Sequence, residues 1–447
     1  MGAEKDIIIA VELASTAIRA IAGKREPDGS MQVLAFAQEE SSNTIRKGII
    51  DNIDKTTLAL SRVVAKLSDK LGSRINSIYV GLGGQSLRSV HNRVLLQFDG
   101  VELLSHKTID KMHDTNSGVV YSNAEIKEVI PQEFTIGSRS VVDPVGMQAE
   151  MLEANFINII ARSTLEENIR RCVNGAGLEV QDVFISPLCV ANTLLTANEK
   201  RSGCTLVDMG ADTTTVSVYS NNILRHLCVI PLGGSNVTSD ITNLKVEAEE
   251  AEELKKKYGT AFRPDKEDKT EKKITLSFDR TEKEETLQEI VEARYEEIIA
   301  NVCQRISPFK EKRLSGIVVT GGAARIPDLT EAFGRASDLN VRIVKGMPEN
   351  ITFSHGVQIG EPDRLYTLYS LLLAGKENCV GELAKEHTQD TFDFGKEEEE
   401  VPVEPETPEP QPEEQDVPKK KEPSSFSRLW KKIEVLFSDE SDGEENS

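Results

Sequence analysis

The chain has 447 residues, 38% of them hydrophobic, and a formal net charge of −21. That length predicts about two to four domains with enough apolar content to bury real cores. So large an acidic excess excludes a general nucleic-acid binder, because phosphate neutralisation needs clustered Lys and Arg.

At the N-terminus, M-G-A-E-K-D has neither a basic segment nor a long apolar one, so no signal peptide is expected. No run reaches the roughly 18 apolar residues of a membrane span, so a cytosolic chain with peripheral membrane contact is expected. The next segment, I-I-I-A-V-E-L-A-S-T-A-I-R-A-I-A-G, is a β-run, an acid (Glu12), a turn of small residues carrying Ser15 and Thr16, and a second β-run. The pattern recurs from Cys204 in C-T-L-V-D-M-G-A-D-T-T-T-V-S-V-Y, with Asp208 as the acid and Gly210, Thr213 and Thr214 in or beside the turn. Each reads as a β-hairpin whose tight turn exposes backbone N–H groups. Two such hairpins facing one another could hold a nucleotide. The turn amides and the hydroxyls of Ser15, Thr16, Thr213 and Thr214 would take phosphate oxygens, and Glu12 and Asp208 would take Mg²⁺ through water. The alternative is two ordinary hairpins in an α/β protein.

Further along, A-E-E-L-K puts Glu252 and Lys255 three apart on one helical face, either as a solvated pair or within reach of a ribose and base. G-I-V-V-T-G-G-A-A-R is a buried strand ending in Gly321 and Gly322, where backbone can approach a ligand. The six cysteines (Cys172, Cys189, Cys204, Cys228, Cys303, Cys379) form no C-x-x-C, and the six histidines show no ligand spacing, so neither disulfides nor zinc is expected. Beyond Gly375 the composition turns acidic and Pro-rich, which predicts a disordered linker over 376–423. The linker leads to S-S-F-S-R-L-W-K-K-I-E-V-L-F. At about 100° per residue, Phe426, Leu429, Trp430, Ile433, Leu436 and Phe437 share one stripe opposite Arg428, Lys431 and Lys432, so 424–438 is expected to be an amphipathic helix.

The order of these parts resembles the actin-like ATPase superfamily, with its two phosphate hairpins and Gly-Gly adenosine loop. Within it the chain is similar to the FtsA family of bacterial cell-division proteins. The residues that carry this are V-I-P-Q-E-F (129 to 134) with D-P-V-G-M (143 to 147), L-R-H-L-C-V-I-P-L-G-G-S-N-V-T-S-D-I (224 to 241), A-E-E-L-K-K-K-Y-G (251 to 259) and V-E-A-R-Y-E-E-I (291 to 298). The resemblance implies an α/β actin-like fold of two duplicated ribonuclease-H-like halves around a nucleotide cleft. The first half would comprise residues 1–84 and 166–200, and the second 201–243 and 311–375. A smaller subdomain would span 244–310, and a family-specific extra subdomain 85–165. Gly233 and Gly234 join the nucleotide-binding set. The resemblance further implies ATP and Mg²⁺ as cofactors, self-association into filaments and recruitment of the tubulin-like protein FtsZ. Attachment to the cytoplasmic face of the inner membrane at the division site would run through the C-terminal helix, with other division proteins as further partners. Trp430 and Phe437 would anchor that helix, with Lys431 and Lys432 facing anionic headgroups. Arg294 in A-R-Y-E-E-I is a candidate FtsZ contact, or an exposed Arg paired with Glu297.

Four hairpin positions depart from the family pattern. Glu12 and Ala14 stand where Asp and Gly are usual, and D-M-G-A-D-T puts Ala211 and Asp212 where two glycines are usual. A methyl at a turn needing positive φ would be strained, and a carboxylate would repel the terminal phosphate, so slow or absent hydrolysis is expected. A small-molecule kinase of the superfamily would need a separate catalytic acid in the cleft, and none is apparent. A chaperone-like relative would need a β-rich domain after residue 375, where the acidic linker stands instead.

Overall fold

The computed structural model describes residues 6–41, 44–264, 272–277, 280–310 and 314–381. The expected amphipathic segment, with Phe426, Leu429, Trp430, Lys431, Lys432, Ile433, Leu436 and Phe437, lies outside the described residues. Among the described residues no helix is long and apolar enough to cross a membrane.

Two sheets are built on one plan. In the first, the antiparallel strands Ile7–Leu13, Ala17–Arg25 and Met31–Glu40 form a meander, and Ser77–Leu82 then Glu179–Ile185 add in parallel on the side of Ile7–Leu13. In the second, Cys204–Met209, Thr214–Ser220 and Ile223–Ile230 repeat the meander, and Gly316–Thr320 then Asn340–Ile343 repeat the parallel addition. The first strand of each meander is therefore central, which explains its apolar run: Ile7 to Val11 are all buried.

Side-chain alternation splits the second sheet between two cores. Leu206, Tyr219 and Leu227 face a cluster that runs through helices Ser186–Leu194 and Tyr366–Ala374 to the first sheet. Val207, Met209, Val216 and Val218 face the other way, onto helices Gly234–Ile241, Ala248–Tyr258, Glu284–Lys310 and Leu329–Ser337. Helix Ile53–Leu71 covers the outer face of the first sheet. It starts where Asn52 accepts the Lys55 N–H at 2.9 Å and stops at Gly72, whose φ of 63° suits glycine.

Between the segments of the first half lies an inserted module. Strands Arg88–Leu103, Glu125–Ile136, Arg139–Val141 and Gln148–Ala161 and helix His106–Ser117 enclose their own small core of Val94, Leu104, Met112, Phe134, Leu152 and Phe156. Although spliced into the first half, the module extends the sheet of the second, through one backbone pair, Arg88 with Cys228. Polar contacts complete the joint. Leu227 donates its N–H to Ser89 Oγ at 2.9 Å, Gln132 Nε2 donates to the Leu224 carbonyl at 3.1 Å, and Arg225 reaches Gln132 Oε1 at 3.1 Å and Glu133 at 2.6 Å. The segments I-P-Q-E and L-R-H-L, separate in the sequence, thus meet here.

One boundary differs from expectation. Lys376–Gly381, assigned above to the linker, belongs to the folded body. Cys379 is buried and donates its N–H to Ile7 O at 2.8 Å, Asn378 accepts the Ile7 N–H at 3.0 Å, and Val380–Gly381 pairs with Arg74–Ile75. Charged residues flank the few groups that make these contacts, and composition alone concealed them.

Candidate functional site

Between the halves lies a cleft of about 1470 Å³, lined by Glu12, Ser15 and Thr16 from one hairpin and by Asp208, Gly210 and Thr213 from the other. Glu252, Lys255, Gly321 and Gly322 line the same space. The structure therefore brings together most of the residues singled out from the sequence.

In the first hairpin, register sets Glu12 directly opposite Arg19, and Arg19 Nη1 donates to Glu12 Oε2 at 3.2 Å. Arg19 was missed in the sequence, although its position symmetric to Glu12 about the turn is a readable signal. Ala14 closes the turn by donating to Ala17 O at 3.1 Å, and buried Ser41 pins it by donating to the Ser15 carbonyl.

In the second hairpin, Gly210 donates to Thr213 O at 2.8 Å. None of Ala14, Gly210, Ala211 and Asp212 has positive φ, so the strain expected of a methyl at position 211 does not arise. Thr214 is a second correction. Its side chain is fully buried and donates to the Leu232 carbonyl at 2.9 Å, away from the cleft, whereas Thr215, directly opposite Asp208, lines it. Asp212 turns its carboxylate to the other half, accepting the Lys47 backbone N–H at 3.1 Å.

Glycines let these pieces approach. A Cβ on Gly321, whose φ is 98°, would lie 2.3 Å from Met209 O and 2.5 Å from Asp208 Oδ1, so only glycine lets that loop pass the acid. A Cβ on Gly233 would lie 2.4 Å from Ala211 O. Gly233 itself does not line the cleft, and its N–H is taken by Asn236 Oδ1 at 2.9 Å. Gly234 and Ser235 donate to the carbonyls of Gly210 and Ala211 at 3.1 and 2.7 Å. Gly234, expected for a ligand, does line the cleft, but its amide and that of Ser235 dock the helix onto the turn.

Charge follows from this geometry. Burial, and then the nearby Glu12 carboxylate, push the Asp208 carboxyl from its ordinary 3.8 up to about 6. Two opposed carboxylates of this kind form a donor set that a divalent cation would relieve. Among the described residues no cluster of three or more metal-ligating groups occurs, so a cation here would need phosphate or water oxygens as well. At the far end, Lys255 donates to Gly234 O at 3.0 Å and to Thr238 Oγ1 at 2.8 Å and pairs with Glu252. Burial pushes the Lys255 ammonium below its ordinary value, despite the opposing pull of Glu252. Burial acts to raise the Glu252 carboxyl, but the bonds from Lys255 and Thr238 outweigh it and hold the group below the usual range. Arg294 lies outside the cleft. Its guanidinium holds Asp240 through Nε at 2.6 Å and Nη2 at 2.9 Å and also pairs with Glu297, so a partner carboxylate would have to compete with both.

Two sheets of the same strand order, with paired hairpin turns meeting at a cleft, define a protein of the actin-like ATPase fold. Residues 205–363 match the family model described as cell division protein FtsA, and residues 84–160 match the SHS2 domain inserted in FtsA. The chain is 31% identical over 330 residues to the cell division protein FtsA of Porphyromonas gingivalis, covering 72% of this chain and 68% of that one. It is 26% identical over 407 residues to FtsA of Escherichia coli strain K12, covering 88% and 96%. Among solved structures, the PilM–PilN type IV pilus biogenesis complex superposes with a TM-score of 0.59 at 13% identity, covering 82% of this chain and 98% of that one. The chain belongs to the FtsA family of cell-division proteins.

Proposed function

We propose that this chain binds ATP with Mg²⁺ in the cleft, assembles into filaments, and tethers FtsZ to the cytoplasmic face of the inner membrane through the amphipathic segment at 424–438. The observation that carries the nucleotide reading is the meeting of two hairpin turns whose acids, Glu12 and Asp208, share one charged space beside the Gly321 loop. Glu12 and Asp208 would hold the magnesium ion through water. Ser15, Thr16, Thr213, Thr215 and the turn amides would bind phosphate oxygens, and Glu252 and Lys255 would orient the ribose and base. The bound metal would neutralise the phosphate charge that these acids would otherwise repel. Asp212, in the turn of the second hairpin, supports a structural rather than a hydrolytic use of ATP, with turnover slow or absent.

The membrane reading rests on sequence: an apolar stripe with Trp430 and Phe437 opposite Lys431 and Lys432 suits an anionic surface, and a helix this short would fold on binding it. The test is co-sedimentation with anionic vesicles, with and without ATP, assaying phosphate in the same tubes. The intact chain should pellet, whereas a truncation at Pro423 and Trp430→Glu should stay in solution. Phosphate release should remain below about 1 per second. Equal pelleting of all three proteins, or of none, would remove the membrane reading, and faster release would remove the structural role of ATP.

A further inference from the structure

Asp212 occupies the tip of the second hairpin, and its carboxylate is held there from the opposite half of the molecule. The holder is a two-residue turn, Lys47-Gly48, between the short paired strands Ile45–Arg46 and Ile49–Ile50. Both turn residues are left-handed, with φ of 51° and 71°, the geometry of a tight two-residue hairpin turn. The turn is fixed to the first half. Gln85 donates to Lys47 O at 3.0 Å, and the Gly48 and Gly84 backbones approach so closely that a Cβ on Gly48 would lie 2.5 Å from Gly84 Cα. From that base the Lys47 N–H reaches Asp212 Oδ2 at 3.1 Å, and Gly48, Gly84 and Asp212 all line the cleft. A surface aspartate is ordinarily free to swing its charge into water. Here a hydrogen bond from a backbone group pinned to the first half holds it at the edge of the cleft.

We propose that Asp212 determines which form of nucleotide this cleft accepts: a fixed carboxylate that rejects metal-free triphosphate and admits triphosphate only with its divalent cation. This deepens the nucleotide reading above and rests on it. The physical reason is like-charge repulsion. A triphosphate brings one more negative charge than a diphosphate to the end of the cleft where Asp212 and Asp208 stand, and a bound cation removes the penalty. The Lys47 bond matters because it denies the carboxylate the easy escape of rotating outward.

The experiment measures equilibrium binding of ATP and ADP, each with excess Mg²⁺ and with a chelator, to the full chain and to Asp212→Asn and Asp212→Gly. The asparagine variant keeps an oxygen to accept the Lys47 N–H and removes only charge, whereas the glycine variant removes both. In the native chain, withdrawing Mg²⁺ should weaken ATP by at least about tenfold more than it weakens ADP. In both variants that excess should fall below about twofold. If Asp212→Asn keeps the native excess and only Asp212→Gly loses it, the residue acts as a tether and the selectivity proposal is wrong. If the native chain shows no excess while binding both nucleotides, it is likewise wrong. Failure of the native chain to bind either nucleotide under any condition would instead overturn the nucleotide reading itself, and the proposal with it.

Discussion

Asp208 shows how a single side chain reports on its surroundings. Its carboxyl is raised to about 6 by burial and by Glu12, so the folded state holds this proton more tightly than the unfolded chain does. Ionising Asp208 therefore costs stability. The cost is absent below the unfolded value of 3.8, grows as pH rises between the two values, and is complete above about 6. Asp208→Asn should accordingly stabilise the nucleotide-free protein at pH 7.5 by on the order of 3 kcal/mol and have little effect at pH 4, as measured by urea unfolding at the two pH values. Glu12→Gln should lower the Asp208 pKa, read by carboxyl NMR titration. Both acids were legible in the sequence because each ends a central apolar strand. The hydroxyls were less so: a run of three threonines does not declare which of them faces the cleft, and only register with Asp208 separates Thr215 from Thr214.

At the level of elements, the joint between the inserted module and the second half depends on Arg225. Its side chain, only 14% exposed, bonds Gln132, Glu133 and the Ser220 carbonyl. Arg225→Ala would leave the Glu133 carboxylate without this partner and should cost about 1–3 kcal/mol. The loss should appear as faster amide exchange across Glu125–Ile136 while the two main sheets keep their protection. The hairpins themselves were readable, since strand periodicity and small-residue turns are local signals. The joint was not: its members lie 92 and 93 residues apart in the chain, and no local pattern links a Gln and Glu on one strand to an Arg on a distant one. Gly233 carries a related lesson. A glycine pair at a helix start suggests ligand contact, yet the first of the pair is there because Ala211 O leaves no room for a methyl group.

For the molecule as a whole, one continuous apolar cluster joins the first sheet to a face of the second, so ligand binding at the cleft should stabilise both halves together. With Mg²⁺-ATP at one hundred times its dissociation constant, unfolding should be opposed by about 2.7 kcal/mol. Calorimetry should then show both halves shifting to higher temperature. A shift confined to part of the transition would mean that the halves unfold separately and that the shared cluster does not couple them. The duplicated plan was legible from two hairpins with an acid at the end of the first strand. The end of the folded body was not, because most of the bonds that hold Lys376–Gly381 are made by its backbone, with the side chains of Asn378 and Glu377 adding bonds to Ile7 and Gln181.

The attachment of the inserted module has a mechanical consequence. The chain leaves the first half near Ser86 and returns at Arg162, and these two connectors are stitched side by side where Arg162 donates its N–H to Ser86 Oγ at 3.2 Å. The module is thus joined to the first half by two adjacent connectors and to the second by a lateral seam, where Arg88 pairs with Cys228 and Ser89, Gln132 and Glu133 make polar contacts. A pivot of the halves about the cleft would therefore have to twist those connectors or shear that seam.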